Sequence, residues 1–236
     1  MSWWGRKSRM ILVAMLLMAA VATVVVIRSW PEKAPEMHVD GVDISLPTPT
    51  VTGGMSLREA LTRRRSVREV TEGALSAQEV SDLCWAAQGI TQAATGHRTA
   101  PSAGGLYPIT VFLVDQRGVY AYSPERHALR QVVSGDIRAA LQTAALDQRC
   151  VGAAPASFVI AIDVARTASR YGSRAERYCL LEAGHVAQNI LLQATALNLG
   201  GVPVGAFDDR DIARLLRLPD NLSPAYVIPV GRPHTP

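Results

Sequence analysis

The chain has 236 residues, 48% hydrophobic and 19% charged, which is enough for one ordinary domain with a buried core and crowded for two. Lys and Arg total 24 against 20 acids, and many of the basic residues are scattered singly, which argues against a nucleic-acid footprint. Three cysteines, Cys84, Cys150 and Cys179, show no CxxC or metal-ligand spacing and cannot all pair, so they read as small buried hydrophobes and no metal is expected.

Residues 1–9 carry Arg6, Lys7 and Arg9, and no charge interrupts the apolar run from Met10 to Ile27. Such a run crosses most of a bilayer as a helix, so 10–28 is predicted to be a transmembrane anchor with Trp3, Trp4 and Trp30 at its interfaces. The basic start puts the N-terminus in the cytoplasm and the body outside it, in a bacterial periplasm or on the cell surface. Ala20-Val21-Ala22 leaves the alternative of a cleaved signal and a secreted body. Pro31, Pro35, Pro47 and Pro49 without helical periodicity make 29–53 an extended linker, and the globular domain is expected over 54–236.

Ser56 with Glu59, and Ser76 with Glu79, have capping-box spacing and predict helices at about 57–64 and 77–88, the second ended by Gly89. Short β-rich runs at 109–114, 119–122, 130–133, 158–162 and 225–230 predict the sheet. Between them fall a helix near 135–145, a long helix over about 174–198 closed by Gly200-Gly201, and another opened by Asp208. Runs of helices around a hairpin-like strand group give an α+β fold.

Four segments could carry chemistry. Arg63-Arg64-Arg65-Ser66-Val67-Arg68 concentrates forked donors of the kind that match phosphate oxygens, although a solvated basic turn would look the same. Pro101-Ser102-Ala103-Gly104-Gly105-Leu106-Tyr107-Pro108 has small residues that let the backbone approach a flat ligand. The long helix offers a broad apolar face that includes Leu180, Leu181, Ile190 and Leu191, with Glu182, His185, Gln188 and Asn189 embedded in it. Its one Glu-x-x-His pair falls short of the two copies that a di-iron bundle needs. Gly200-Gly201-Val202-Pro203-Val204-Gly205 and Gly231-Arg232-Pro233 could add backbone donors and a late guanidinium.

In this order, the Arg-Arg-Ser-x-Arg segment, the Pro-Ser-Ala-Gly-Gly-Leu-Tyr-Pro loop and Leu180-Leu181-Glu182-Ala183-Gly184-His185-Val186-Ala187-Gln188-Asn189 resemble the nitroreductase superfamily, in its SagB/ThcOx-type dehydrogenase branch. The resemblance runs from about Leu57 to Pro233. It implies a central, mostly antiparallel sheet flanked by helices, and a homodimer with FMN held between subunits. It further implies that Arg64, Arg65, Ser66 and Arg68 hold the phosphate and ribityl chain, with Arg232 completing the phosphate site. Ser102, Ala103 and Gly104 would lie along the flavin; Gly200, Gly201, Val204 and Gly205 would approach its ring edge; Gln188 and Asn189 would support it. Some members use a Lys-Tyr pair as acid/base, and here Arg170-Tyr171 stands at that place, which leaves Tyr171 as the catalytic candidate. The implied activity is hydride transfer between a small organic or peptide-derived substrate and flavin. An NAD(P)H-dependent nitroreductase or quinone reductase, and a non-catalytic flavin-binding module, are the alternatives.

Overall fold

The computed structural model describes residues 43–234. The expected anchor at 10–28 and the first part of the linker lie outside the described residues. Among the described residues no helix is long and apolar enough to cross a membrane. In chain order the elements are β1 (Asp43–Ser45), α1 (Leu57–Arg63), α2 (Ala77–Gln88), β2 (Ile90–Gln92), β3 (His97–Arg98), β4 (Ile109–Asp115), β5 (Gly118–Ser123), β6 (Ala128–Ser134), α3 (Arg138–Ala144), α4 (Arg149–Ala153), β7 (Ala156–Ile162), α5 (Val164–Tyr171), α6 (Ala175–Ala196), β8 (Gly200–Gly201), α7 (Asp209–Leu215) and β9 (Ser223–Gly231).

The predicted helix starts follow from local capping. Ser76 accepts the Glu79 N–H while the Glu79 carboxylate accepts the Ser76 N–H, closing the capping box of α2. At α1 only half of the expected box forms. Ser56 caps, but Glu59 turns along the helix to pair with Arg63 at 3.0 Å. Asp208 caps α7 by accepting the Asp211 N–H.

Seven strands make one sheet in the order β1-β6-β5-β4-β7-β9-β8, every pair antiparallel. β4 and β7 are apolar almost end to end because both of their faces are covered. Leu113, Phe158, Ile160 and Ile228 point into a core shared with Leu83 and Cys84 of α2 and with Cys179, Val186 and Ile190 of α6. The alternate residues Phe112, Val159 and Val227 are as deeply buried on the opposite face, where strand periodicity places them. Leu141, Val151 and Ile212 of α3, α4 and α7, with Leu216 just after α7, are buried outside the first core.

The body begins earlier than Gly54. Within the segment expected as linker, β1 pairs with β6 as an edge strand, and residues 46–50 are held by polar contacts. The Ser81 hydroxyl donates to Pro47 O, the Thr50 N–H donates to an Asp82 carboxylate oxygen at 2.8 Å, and Gln78 Nε2 donates to Thr48 O at 3.0 Å. His127 closes the same network, with Nε2 2.7 Å from Ser81 Oγ and Nδ1 2.9 Å from the Tyr122 hydroxyl. Prolines at 47 and 49 suit such an arm because an edge segment can do without their missing donors.

Candidate active site

Two groups of the candidate residues assemble, both on α6. The first forms where α6 ends. Arg64 leaves α1 in an extended conformation, and the chain then runs beside β8: Ser66 bridges Gly201 in parallel, and the Val67 N–H donates to Gly201 O at 3.0 Å. Val70 bridges Pro233, and the Thr71 N–H donates to Arg232 O at 2.8 Å. Sequence positions 135 to 163 apart are thereby fastened together, and Gly200 permits it. A Cβ there would lie 2.6 Å from Val67 Cβ.

The guanidiniums in this group have different commitments. Arg63 pairs with Glu59, and Arg65 Nη1 donates to Thr62 O at 2.7 Å and to its neighbour's carbonyl at 2.9 Å. Arg64, half-buried, and Arg68, exposed, make no side-chain hydrogen bond or salt bridge among the described residues, so their donors are available. Arg232, expected to complete an anion clamp, is instead gripped by both oxygens of Glu79, at 2.7 and 3.0 Å, and its other arm donates to Ala74 O. Val204 is likewise occupied, exchanging both backbone hydrogen bonds with Val227, so its N–H does not face outward. Gly205 is exposed beside it.

The second group forms where α6 begins. Ala103–Gly105 make one tight turn in which Gly104 has φ 63°. Ser102 Oγ accepts the Tyr107 N–H at 2.8 Å, which leaves the Ser102 hydroxyl proton free to point elsewhere. A Cβ on Gly104 would meet Tyr171 Oη at 2.8 Å and Arg170 Nη1 at 3.0 Å. The turn and the Arg170-Tyr171 pair are thus in contact, and only glycine satisfies both the left-handed backbone and the close approach. The Tyr171 ring is further fixed edge-on against Tyr178, with centroids 5.0 Å apart.

Beneath this turn lies a residue that sequence reasoning considered only as half of a metal pair. Glu182 is 3% exposed, and its Oε1 has no hydrogen-bond partner. Burial pushes its carboxyl up to about 7, against the opposing pull of the Ser102 hydroxyl, the Arg98 and Arg166 charges and the Ala103 N–H. Arg98 reaches the cluster from β3, stacked 4.6 Å over the Tyr107 ring, with one arm on Gln88 Oε1 at 3.1 Å and another on Glu125 at 2.8 Å. Gln88, 1% exposed, keeps its Nε2 unpaired. His185 is exposed, and no group of three or more metal-ligating side chains gathers among the described residues. A polar residue at a buried register of an apolar helix was the one available signal for Glu182.

Gln188, exposed, and Asn189, half-buried, lie between the two groups with uncommitted amides. Leu180 and Leu181, expected within the apolar core face of α6, are instead 50% and 53% exposed, because helical periodicity turns them away from the face that buries Cys179, Glu182 and Ala183. Leu57 and Leu61 are also exposed, on α1, which packs against α6.

A family model described as "Nitroreductase family" matches residues 61–232. A Methanocaldococcus jannaschii protein named as a nitroreductase is 39% identical over 199 residues, covering 82% of this chain and 98% of the relative. A crystal structure titled as a nitroreductase from Ralstonia eutropha JMP134 superposes with TM-score 0.75 at 30% identity, covering 82% of this chain and 90% of that one. The fold also recurs, at 22% identity and TM-score 0.57, in the NADPH:FMN oxidoreductase of Vibrio harveyi, over 76% of this chain and 69% of that one. With a matched family model spanning most of the chain, and an antiparallel sheet flanked by helices that superposes on its relatives, the chain belongs to the nitroreductase family of oxidoreductases.

Proposed function

We propose that this chain binds FMN and transfers hydride between the flavin and a small organic or peptide-derived substrate, as a SagB-type dehydrogenase or oxidase. The observation that carries the reading is the pair of uncommitted guanidiniums, Arg64 and Arg68, on either side of Ser66 and locked against Gly200-Gly201. Forked donors fixed on an extended backbone suit a terminal phosphate. The fit is therefore good for a phosphorylated cofactor. When bound, a flavin supplies the hydride acceptor and donor that no side chain provides.

The chain's own contributions are separable. Arg64, Arg68 and Ser66 would hold the phosphate, whereas Arg232 acts through Glu79 to fix the start of α2 against the same edge. Ser102, Ala103 and Gly104 would line the ring, and Tyr171 Oη, pressed against Gly104, would hold the proton exchanged with substrate. Arg170 is unsuited to that role, since a guanidinium is a poor proton shuttle.

The two groups stand apart: about 21 Å of helix separates Glu182 from Ala196 at 1.5 Å per residue. That separation supports a site completed by a second copy in a homodimer, for which Leu57, Leu61, Leu180 and Leu181 provide uncovered apolar surface. The uncharged run at 10–27 supports a membrane tether with the body outside the cytoplasm, where the organic substrate would reduce the flavin and oxygen or a quinone would reoxidise it.

Purified full-length protein should be yellow and should release FMN on denaturation. A colourless preparation that takes up no added FMN would defeat the reading. Rapid bleaching of the bound flavin by micromolar NADPH would replace the organic-substrate scheme with the NAD(P)H-dependent one.

A further inference from the structure

Resting on the FMN reading, we infer that Arg170 is a specificity-determining residue whose guanidinium receives a carboxylate on the substrate, so that the molecule presented to the flavin is an organic acid.

Arg170 lies in the last turn of α5, and its side chain folds back over the glycine turn before β4. Its Nη1 lies 3.0 Å and its Cδ 3.3 Å from the point that a Cβ on Gly104 would occupy, and Tyr171 Oη reaches the same point at 2.8 Å. Two donors thus converge over a residue that has no side chain to put between them. The Arg170 guanidinium stands 5.7 Å from the centre of the Tyr171 ring and makes no side-chain hydrogen bond or salt bridge among the described residues. Arg98, the other guanidinium brought to this loop, is committed to Gln88 Oε1, to Glu125 and to the face of Tyr107. Arg170 is therefore the one of the two whose donors are available.

The chain does not balance the charge around it. Arg166 stands one helical turn before Arg170 on α5, and like charges four residues apart on a helix repel. Arg174 and Arg177 follow at the start of α6, and the single acid in the stretch 164–178 is Glu176. Neither Glu176 nor these three arginines forms a salt bridge among the described residues. The acids on neighbouring elements are engaged elsewhere. Asp163 caps α5 and accepts from Asn221 at 2.7 Å, Glu125 holds Arg98 at 2.8 Å, and Glu182 is buried. An anion from outside the chain is what this cluster lacks. A carboxylate suits it because its two oxygens lie in one plane and accept two parallel N–H bonds from one edge of a guanidinium. Held on Arg170, that group would stand beside Tyr171 Oη and the Gly104 turn, and the carbon bearing it would face the ring those residues are read as lining.

The test uses the full-length protein carrying FMN, with phenylacetate and its neutral counterpart phenylacetamide as probes. Titration calorimetry should show the wild type binding the acid about tenfold more tightly than the amide, as one charge-assisted pair partly screened by water would give, and high salt should shrink the preference. Arg170→Met keeps the alkyl stem and removes the charge, so it should bind the two probes within about twofold of each other. Arg170→Lys keeps the charge without the fork and should retain roughly a threefold preference. Both variants should hold FMN and melt as the wild type does, because the exposed guanidinium holds nothing else in the chain. A yellow wild type that binds acid and amide alike, or neither, would overturn the inference, and so would an acid preference that survives Arg170→Met. Loss of the flavin from Arg170→Met would make this arginine a ligand of the cofactor and would also overturn it. A colourless wild type that takes up no FMN would instead overturn the cofactor reading and take this inference with it.

Discussion

Gly200→Ala tests the fastening between the Arg64–Arg68 segment and β8. The new methyl would lie 2.6 Å from Val67 Cβ and 2.8 Å from both Val67 methyls. Rotation about χ1 cannot relieve the contact, since the branch point itself is the nearest atom. Ordinary contact begins near 3.4 Å, so the two segments must separate by about 1 Å, which breaks the 3.0 Å bond from the Val67 N–H to Gly201 O. Overpacking costs about 1–3 kcal/mol and the lost hydrogen bond about 1 kcal/mol, giving a fall in Tm of roughly 4–16 °C for a domain of this size. Arg64 and Arg68 move with the displaced segment, so FMN should bind at least about tenfold more weakly. Val67→Ala makes the missing space and should restore most of both losses, with a coupling of at least about 1 kcal/mol. Urea denaturation and fluorescence titration of the two single variants and the double variant supply the cycle. Additivity within about 0.5 kcal/mol, or unchanged FMN affinity in Gly200→Ala, would refute the proposed fastening.

Glu182→Gln should alter how stability depends on pH. The folded carboxyl titrates at about 7 and the ordinary value is 4.5, so the native state holds the proton more tightly, and wild-type stability falls as pH rises between those values. The loss totals roughly 3 kcal/mol above pH 7, and the variant should escape it, so urea midpoints for wild type and variant that run parallel from pH 4.5 to 8 would contradict the burial argument. Arg64→Ala combined with Arg68→Ala should abolish FMN retention while changing the stability of the flavin-free chain by less than about 0.5 kcal/mol, because neither side chain has an internal partner. Retention of a stoichiometric chromophore would remove them from the site. Gly104→Ala should cost about 1–2 kcal/mol through its left-handed backbone and should displace Tyr171 Oη, and a thermal melt superimposable on the wild type would refute the close packing of the turn against Tyr171.

Much of the framework was legible in the chain because it depends on neighbours in sequence. Ser76 and Glu79 fix the start of α2, Asp208 fixes that of α7, and the apolar runs of β4 and β7 are strands wherever they are packed. Elements without such local signals were missed. β1 is three exposed residues held by pairing to β6, and nothing in its own sequence marks it as a strand. The order of the arginine segment, the glycine turn and the long helix was enough to suggest the family, but not which of their donors are free. That Arg232 meets the carboxylate of Glu79, 153 residues away, follows only from the packing of α2 against the end of β9. Glu182 looked like one half of a metal pair, and its burial beneath Ser102 depends on how α6 meets the turn before β4. Capping and periodicity act within a few residues, and these the sequence determined. The charge a side chain meets, and the water it loses, come from segments far along the chain, so the state of each functional group was decided only by the tertiary structure.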